Sequence, residues 1–190
     1  VLSVIDRDRY EVVPVGVTRT GNWVLTSGDT ERLRLDPAGG SLPSVPEDGA
    51  DLALPFDKAG ELIVVDPEKG PERLAGVDVV LPLLHGPFGE DGTIQGLFEM
   101  MGVRYAGAGV FSSAASMDKV FMKAMLRGNG IPTSDYVSIT DRQWRHERKK
   151  VLDDIAELGA TVFVKPARAG SSVGISKVND SSDTDAVVAA

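Results

Sequence analysis

The segment Val77-Asp78-Val79-Val80-Leu81-Pro82-Leu83-Leu84 is apolar almost without interruption and runs straight into His85-Gly86-Pro87-Phe88-Gly89-Glu90-Asp91-Gly92. A short, β-branched run of this kind predicts a strand covered on both faces, as in a parallel sheet flanked by helices. Beyond the glycines, Ile94, Leu97, Phe98 and Met101 recur at i, i+3, i+4 and i+7, one face of a helix that Gly102 ends. Val103 to Gly107 then reads as another short strand. Strand, glycine-rich loop, helix and strand in that order predict a doubly wound α/β fold. In such folds ligands gather beyond the carboxyl ends of the strands.

The flanking sequence extends the pattern in both directions. Tyr10 to Thr18 reads as a strand with Pro14 at an edge or bulge, and Trp23-Val24-Leu25 as a shorter one. From Gly28 to Gly76, prolines and glycines break the chain into loops with short strands such as Leu62 to Val65. Downstream, Ser112-Ser113 offers an N-cap for a helix with Ala114, Met117, Phe121 and Met125 on its inner face. Tyr136 to Ile139 reads as a strand. Thr140-Asp141 caps a second helix, with Trp144, Val151, Leu152, Ile155 and Leu158 inward and the basic stretch Arg142 to Lys150 as a solvated face. Thr161 to Pro166 and Val173 to Val178 are two strands around a Gly/Ser turn. The expected division is a doubly wound parallel-sheet domain over 1–112 and a small α+β unit over 113–190.

Composition removes whole classes of function. Twenty Lys and Arg against 28 Asp and Glu give a net charge of −8 and a pI near 4.8, a poor surface for nucleic acid or anionic membranes. No apolar run approaches the roughly 20 residues that span a bilayer. With no cysteine there is no disulfide, thiolate nucleophile or Cys-type zinc site. His85 and His146 are too far apart for an HExxH motif. The chain opens on Val1-Leu2-Ser3 without an initiator Met and closes on Asp185 to Ala190, the start of a helix without a stop signal. Both ends read as cut, and a fragment of a longer chain is expected.

Three constellations could carry chemistry. His85 at the end of the buried run can change charge near neutrality, Glu90 could orient it, and the glycines admit a ligand close to the backbone. The bland alternative is a strand-to-helix turn whose histidine bonds a carbonyl. In Lys165-Pro-Ala-Arg-Ala-Gly170-Ser171-Ser172-Val173-Gly174, a lysine precedes a turn of successive N–H donors, which suits a polyphosphate. An ordinary hairpin loop would look the same, and the order of Lys and glycines is not that of a Walker A motif. Lys119, after Met117-Asp118, sits near a helix start, where an anion would offset its conflict with the helix dipole. Taken alone, a solvated lysine paired with a neighbour is the simpler account. Gly107-Ala-Gly109-Val-Phe-Ser112 matches the dinucleotide fingerprint GxGxxG only in part, and a dehydrogenase reading rests on that alone.

Together, His85-Gly-Pro-Phe-Gly-Glu-Asp-Gly-Thr-Ile-Gln-Gly96, Gly107-Ala-Gly109, Ser116-Met-Asp-Lys119 and Phe163-Val-Lys-Pro-Ala-Arg-Ala-Gly-Ser-Ser-Val-Gly174 resemble successive signatures of the D-alanine–D-alanine ligases, members of the ATP-grasp superfamily. The resemblance implies an N-terminal doubly wound substrate domain followed by part of an ATP-grasp subdomain. It also implies a cytoplasmic homodimer that uses ATP and Mg2+ to join two D-alanines through an acyl phosphate, for peptidoglycan precursors. By the same resemblance Lys119 and Lys165 hold ATP phosphates, and the turn Ser171-Ser172-Val173 closes over them. Ser171 joins the hydrogen bonds around the first D-alanine, and His85 lies near its carboxylate with Glu90 in support. The family's opening substrate loop, its lid and its metal ligands have no counterpart in these residues. No magnesium ligand is therefore assigned, and the isolated chain is expected to be inactive. A D-alanine–D-lactate ligase and a non-catalytic nucleotide-binding module are the alternatives.

Overall fold

The computed structural model describes residues 2–26, 44–47, 49–53, 61–66 and 70–190. The chain forms two compact units, Val1–Val80 with Glu99–Arg104, and Leu81–Phe98 with Tyr105–Ala190.

In the first unit, β1 (Val15–Val17), β2 (Trp23–Leu25), β3 (Ala50–Ala53), β4 (Glu61–Asp66) and β5 (Gly70–Gly76) pair in sequence order as a five-stranded sheet. Every described pairing is antiparallel, from Gly16 opposite Val24 to Val64 opposite Glu72. Among the described residues, Val24 and Leu52 are its buried aliphatic ones. Mixed sheet and helix are present as expected for an α/β chain, but this described sheet is an antiparallel meander and not a parallel, doubly wound one. Connection length supplies the reason. Parallel neighbours need a crossover of a dozen or more residues, and β4 passes to β5 too soon for one.

The apolar run from Val77 to Leu84 is also not the doubly covered strand that its composition predicts. Val79, Leu81 and Leu83 are exposed, while Val80, Pro82 and Leu84 are partly buried. Successive side chains of an extended segment point to opposite faces, so one face is open although both are apolar. The Val80 amide still bonds the Arg104 carbonyl at 2.8 Å.

The second unit is helical with one hairpin. The helix α1 (Thr93–Met101), whose last three residues fall in the first unit, appears where the periodicity predicts it, with Ile94, Phe98 and Met101 buried. The long helix expected from Ser112 is two helices, α2 (Val110–Met117) and α3 (Lys119–Gly128). Gly109 stands at the N-cap of α2, and Ser113 is buried inside it. Asp118 breaks the pair because its extended backbone, φ −88° and ψ 110°, leaves one helix and caps the next. That break resets the helical phase, so the predicted inner face does not form: Phe121 is 62% exposed.

Tyr136–Ile139 lies in an extended connection without strand pairing. Thr140 caps α4 (Asp141–His146) with a reciprocal capping box to Gln143, and α5 (Arg148–Ala156) follows after a break at Glu147. Lys149 pairs with Asp153 at 2.7 Å on the solvated side of α5. Its other side meets the hairpin of β6 (Val162–Val164) and β7 (Ser176–Val178) and the last helix, α6 (Thr184–Ala189). Val151, Ile155, Val162, Val178 and Val187 form this core, with Trp144, Leu152 and Leu158 against it. Each such buried aliphatic side chain is worth about 1.5–3 kcal/mol. The core therefore fixes the hairpin whose connection carries Lys165 to Gly174.

Candidate functional site

The first turn, His85 to Gly92, is built on its own carboxylates. The Gly86 amide donates to Glu90 Oε2 at 2.7 Å, so this carboxylate shapes the backbone instead of meeting the His85 ring. Asp91 accepts from the Phe88 amide at 2.9 Å and the Thr93 amide at 3.0 Å, which ties the turn to the start of α1. Partial burial pushes the Asp91 carboxyl up, but these bonds and the Thr93 hydroxyl together outweigh it and hold it below the usual aspartate range. Phe88 is pinned at φ 68°, a left-handed conformation uncommon for an aromatic residue. Gly89 is buried with no room for a side chain: a Cβ there would lie 2.5 Å from Leu84 Cβ and 2.7 Å from the Leu84 carbonyl carbon. Gln95, also buried, donates from Nε2 to the Gly89 carbonyl at 3.0 Å. The His85 imidazole is exposed and has no hydrogen-bond partner among the described residues.

The second turn, Lys165 to Gly174, is held differently. Internally, the Val173 amide bonds the Gly170 carbonyl at 3.0 Å and the Ile175 amide reaches the Ser172 carbonyl at 3.4 Å. Ser171 at φ 51°, Ser172 at φ 61° and Gly174 at φ 68° follow one another closely in the left-handed region. The amides of Ser171, Ser172 and Gly174 find no acceptor among the described residues. Ser171, Ser172 and Val173 are all exposed. Lys165 is exposed as well, its ammonium 5.7 Å from the centre of the Phe163 ring. Such a turn offers one cation and several N–H donors to an anion.

Folding brings the three sequence constellations together within the second unit. The Lys119 amide donates to the Ala167 carbonyl at 3.0 Å, and its ammonium to the Ala169 carbonyl at 2.6 Å. Arg168 Nε meets Asp118 Oδ2 at 2.8 Å. On the opposite flank, a Cβ on Gly170 would lie 3.8 Å from Glu90 Oε2. Lys119 does not stand against an uncompensated helix dipole, since the Asp118 carboxylate caps α3 through the Val120 and Phe121 amides. The bond from Arg168 holds the Asp118 carboxyl below the usual aspartate range, opposed by burial and assisted by those two amides.

Asp118, Arg168, Asp91 and Gln95 escape sequence reasoning as site residues. An Asp before a helix start is a capping signal and could have marked Asp118. Nothing local marks its pairing with a residue fifty positions away. A separate cavity of 490 Å³, lined by Asp135, Tyr136, Val137, Asp154, Glu157 and Leu158, contains none of the predicted site residues. Among the described residues, no group of three or more His, Cys, Asp or Glu is placed to hold a metal ion.

Known proteins resemble this chain in sequence and in shape. A family profile described as D-ala D-ala ligase N-terminus matches residues 1–108, and one described as D-ala D-ala ligase C-terminus matches residues 125–190. The D-alanine–D-alanine ligase of Arthrobacter sp. (strain FB24) is 50% identical over 192 residues, covering 100% of this chain and 50% of the relative. That of Streptomyces coelicolor is 46% identical over 197 residues, covering 99% and 50%. Among solved structures, the VanG D-Ala:D-Ser ligase of Enterococcus faecalis aligns with a TM-score of 0.72 at 27% identity, over 99% of this chain and 51% of that one. The D-alanine–D-alanine ligase of Coxiella burnetii aligns with a TM-score of 0.69 at 27% identity, over 98% and 52%. The chain spans about half the length of the curated relatives it matches.

Proposed function

The chain belongs to the D-alanine–D-alanine ligase family, and from that premise we propose that it carries one wall of the active site of an ATP-dependent ligase. The proposed activity joins two D-alanines into the dipeptide used for peptidoglycan precursors. In it, ATP supplies the phosphoryl group that activates the carboxylate of one D-alanine, and the amino group of the second displaces phosphate.

The observation that carries this reading is the convergence of Lys119, the Lys165–Gly174 turn and Glu90 in one compact unit. Two anions must meet for the carboxylate to be activated, so cations and amide donors have to lie along the phosphate path. Lys165 supplies a cation whose ammonium meets no carboxylate among the described residues. Lys119 adds a second, its ammonium resting on the Ala169 carbonyl at 2.6 Å. The Ser171, Ser172 and Val173 segment closes over the phosphates, and the Ser171 hydroxyl extends to the first D-alanine. His85, held at the end of a braced turn, faces the substrate carboxylate, and Glu90 supports it by fixing the Gly86 backbone. Mg2+ is the proposed second cofactor, and no step is assigned to it because no ligand for it is assigned among the described residues.

The proposal includes a substrate domain over 1–112, an ATP-grasp subdomain over 113–190, and a homodimer in the cytoplasm. No helix among the described residues is long and apolar enough to cross a membrane. The test is made on the complete gene product, because the chain covers half of its relatives. Incubation with ATP, Mg2+, D-alanine, D-serine and D-lactate should yield ADP and D-alanyl-D-alanine as the main product. A D-serine- or D-lactate-terminated product would reassign the second substrate. ATP binding without any ADP release would favour a non-catalytic nucleotide-binding module.

A further inference from the structure

We infer that Asp118 and Arg168 form a positioning pair that holds the Lys165–Gly174 turn in register when Lys119 engages a phosphate. The inference rests on the reading of that turn as the phosphate-binding element. It assigns work to two residues outside the set that touches ligand.

The turn cannot keep its shape unaided. Its two internal bonds, at 3.0 and 3.4 Å, lie at its far end around Gly170 to Ile175. Ser171 and Ser172 occupy left-handed backbone, which costs a non-glycine residue about 1–2 kcal/mol. Three bonds from two consecutive residues at the start of α3 compensate. They reach three consecutive positions of the turn: Lys119 N to the Ala167 carbonyl, Asp118 to Arg168, and Lys119 Nζ to the Ala169 carbonyl.

The last of these bonds uses the same ammonium that the proposed function directs to phosphate. A ligand that draws Lys119 Nζ away from Ala169 removes one of the three. The Asp118–Arg168 bond is unaffected by that movement and keeps the middle of the turn anchored.

Asymmetric exposure marks the pair as a device of position more than of stability. The Arg168 side chain is 73% exposed and that of Asp118 only 9%. An ion pair with one partner in water contributes little net energy. The Asp118 carboxylate, however, is used at both oxygens. Oδ1 caps α3 through the amides of Val120, at 3.0 Å, and Phe121, at 3.3 Å, and Oδ2 holds Arg168 at 2.8 Å. One carboxylate thus sets the helix start and the turn relative to each other.

Hydrogen–deuterium exchange and ATP kinetics on the complete gene product test this, with Asp118→Asn, Arg168→Met and the double variant. Asparagine still caps a helix, so Asp118→Asn leaves α3 intact. Either single change should speed exchange of the Val173 and Ile175 amides, the ones bonded within the turn, by about tenfold, with no further gain in the double variant, as for neighbours in one network. Exchange across α5 should stay as in the parent. The KM for ATP should rise while kcat holds within about twofold, the signature of lost ground-state binding. Unchanged exchange at Val173 and Ile175 in an enzyme active with ATP, or effects that add in the double variant, would overturn the pairing. Coupled exchange in a protein that never turns over ATP would instead overturn the ligase reading and leave the pairing standing.

Discussion

Between Gly86 and Thr93 the chain is braced by its own carboxylates, whereas between Lys165 and Gly174 it is braced from another helix. Glu90 and Asp91 close the first turn over three to four residues, and buried Gly89 packs against the backbone at Leu84. The second turn has exposed serines, amides without an acceptor among the described residues, and supports from Asp118 and Lys119. Local bonds survive small movements of the rest of the fold, so the first turn suits a group that must be placed. Remote bonds can be exchanged for a ligand, so the second suits a segment that must close.

The contrast can be broken by a methyl group. Gly89→Ala should destabilise the protein by about 2–3 kcal/mol, since the neighbour it meets is backbone and cannot yield. Gly170→Ala meets only the end of the Glu90 side chain and should cost less than about 0.5 kcal/mol. Equal shifts of the two urea midpoints would erase the distinction. A kinetic split is the next largest effect. In the complete gene product, Lys165→Ala should raise the KM for ATP by about ten- to a hundredfold, the worth of a charged hydrogen bond. His85→Ala should lower kcat with less effect on that KM, by about tenfold or more, as for a group acting in the transition state. Parental constants in both would remove these residues from the site.

Acid sharpens the comparison with the smallest effect. Asp118 and Asp91 both have carboxyls held below the usual aspartate range in the folded protein. Their stabilisation is complete above the unfolded value of about 3.9 and disappears as pH falls through it to the lower folded value. The Asp118→Asn variant loses one of these two contributions. Its stability deficit relative to the parent should therefore be constant from pH 7 to about 5 and narrow below about pH 4. A deficit that persists unchanged at pH 2 would show that the carboxylate charge plays no part.

Several elements were legible because their causes are local. Thr140 and Gln143 form the capping box that their spacing foretells, and Val151 and Ile155 are buried on the predicted face of α5. The helix after Gly92 and the hairpin around the Gly/Ser turn were equally readable. The helix break was not, because Met117-Asp118-Lys119 continues an apolar periodicity on both sides. Only the bonds from Asp118 to Val120, Phe121 and Arg168 make its extended backbone the better choice. Nor did composition show that the apolar run to Leu84 would be open on one face. Hydrophobicity states what a residue prefers, and neighbours decide whether it is covered.

By itself, the sequence determined the family, the two glycine-rich turns and the chemistry they can offer, because motif spacing and residue type are properties of the chain. Tertiary structure alone decided that Glu90 serves the Gly86 backbone, that Lys119 and Asp118 hold the Lys165–Gly174 turn, and that the described sheet is antiparallel. Each of these depends on which distant groups are brought within about 3 Å of one another, the range over which a hydrogen bond exists at all.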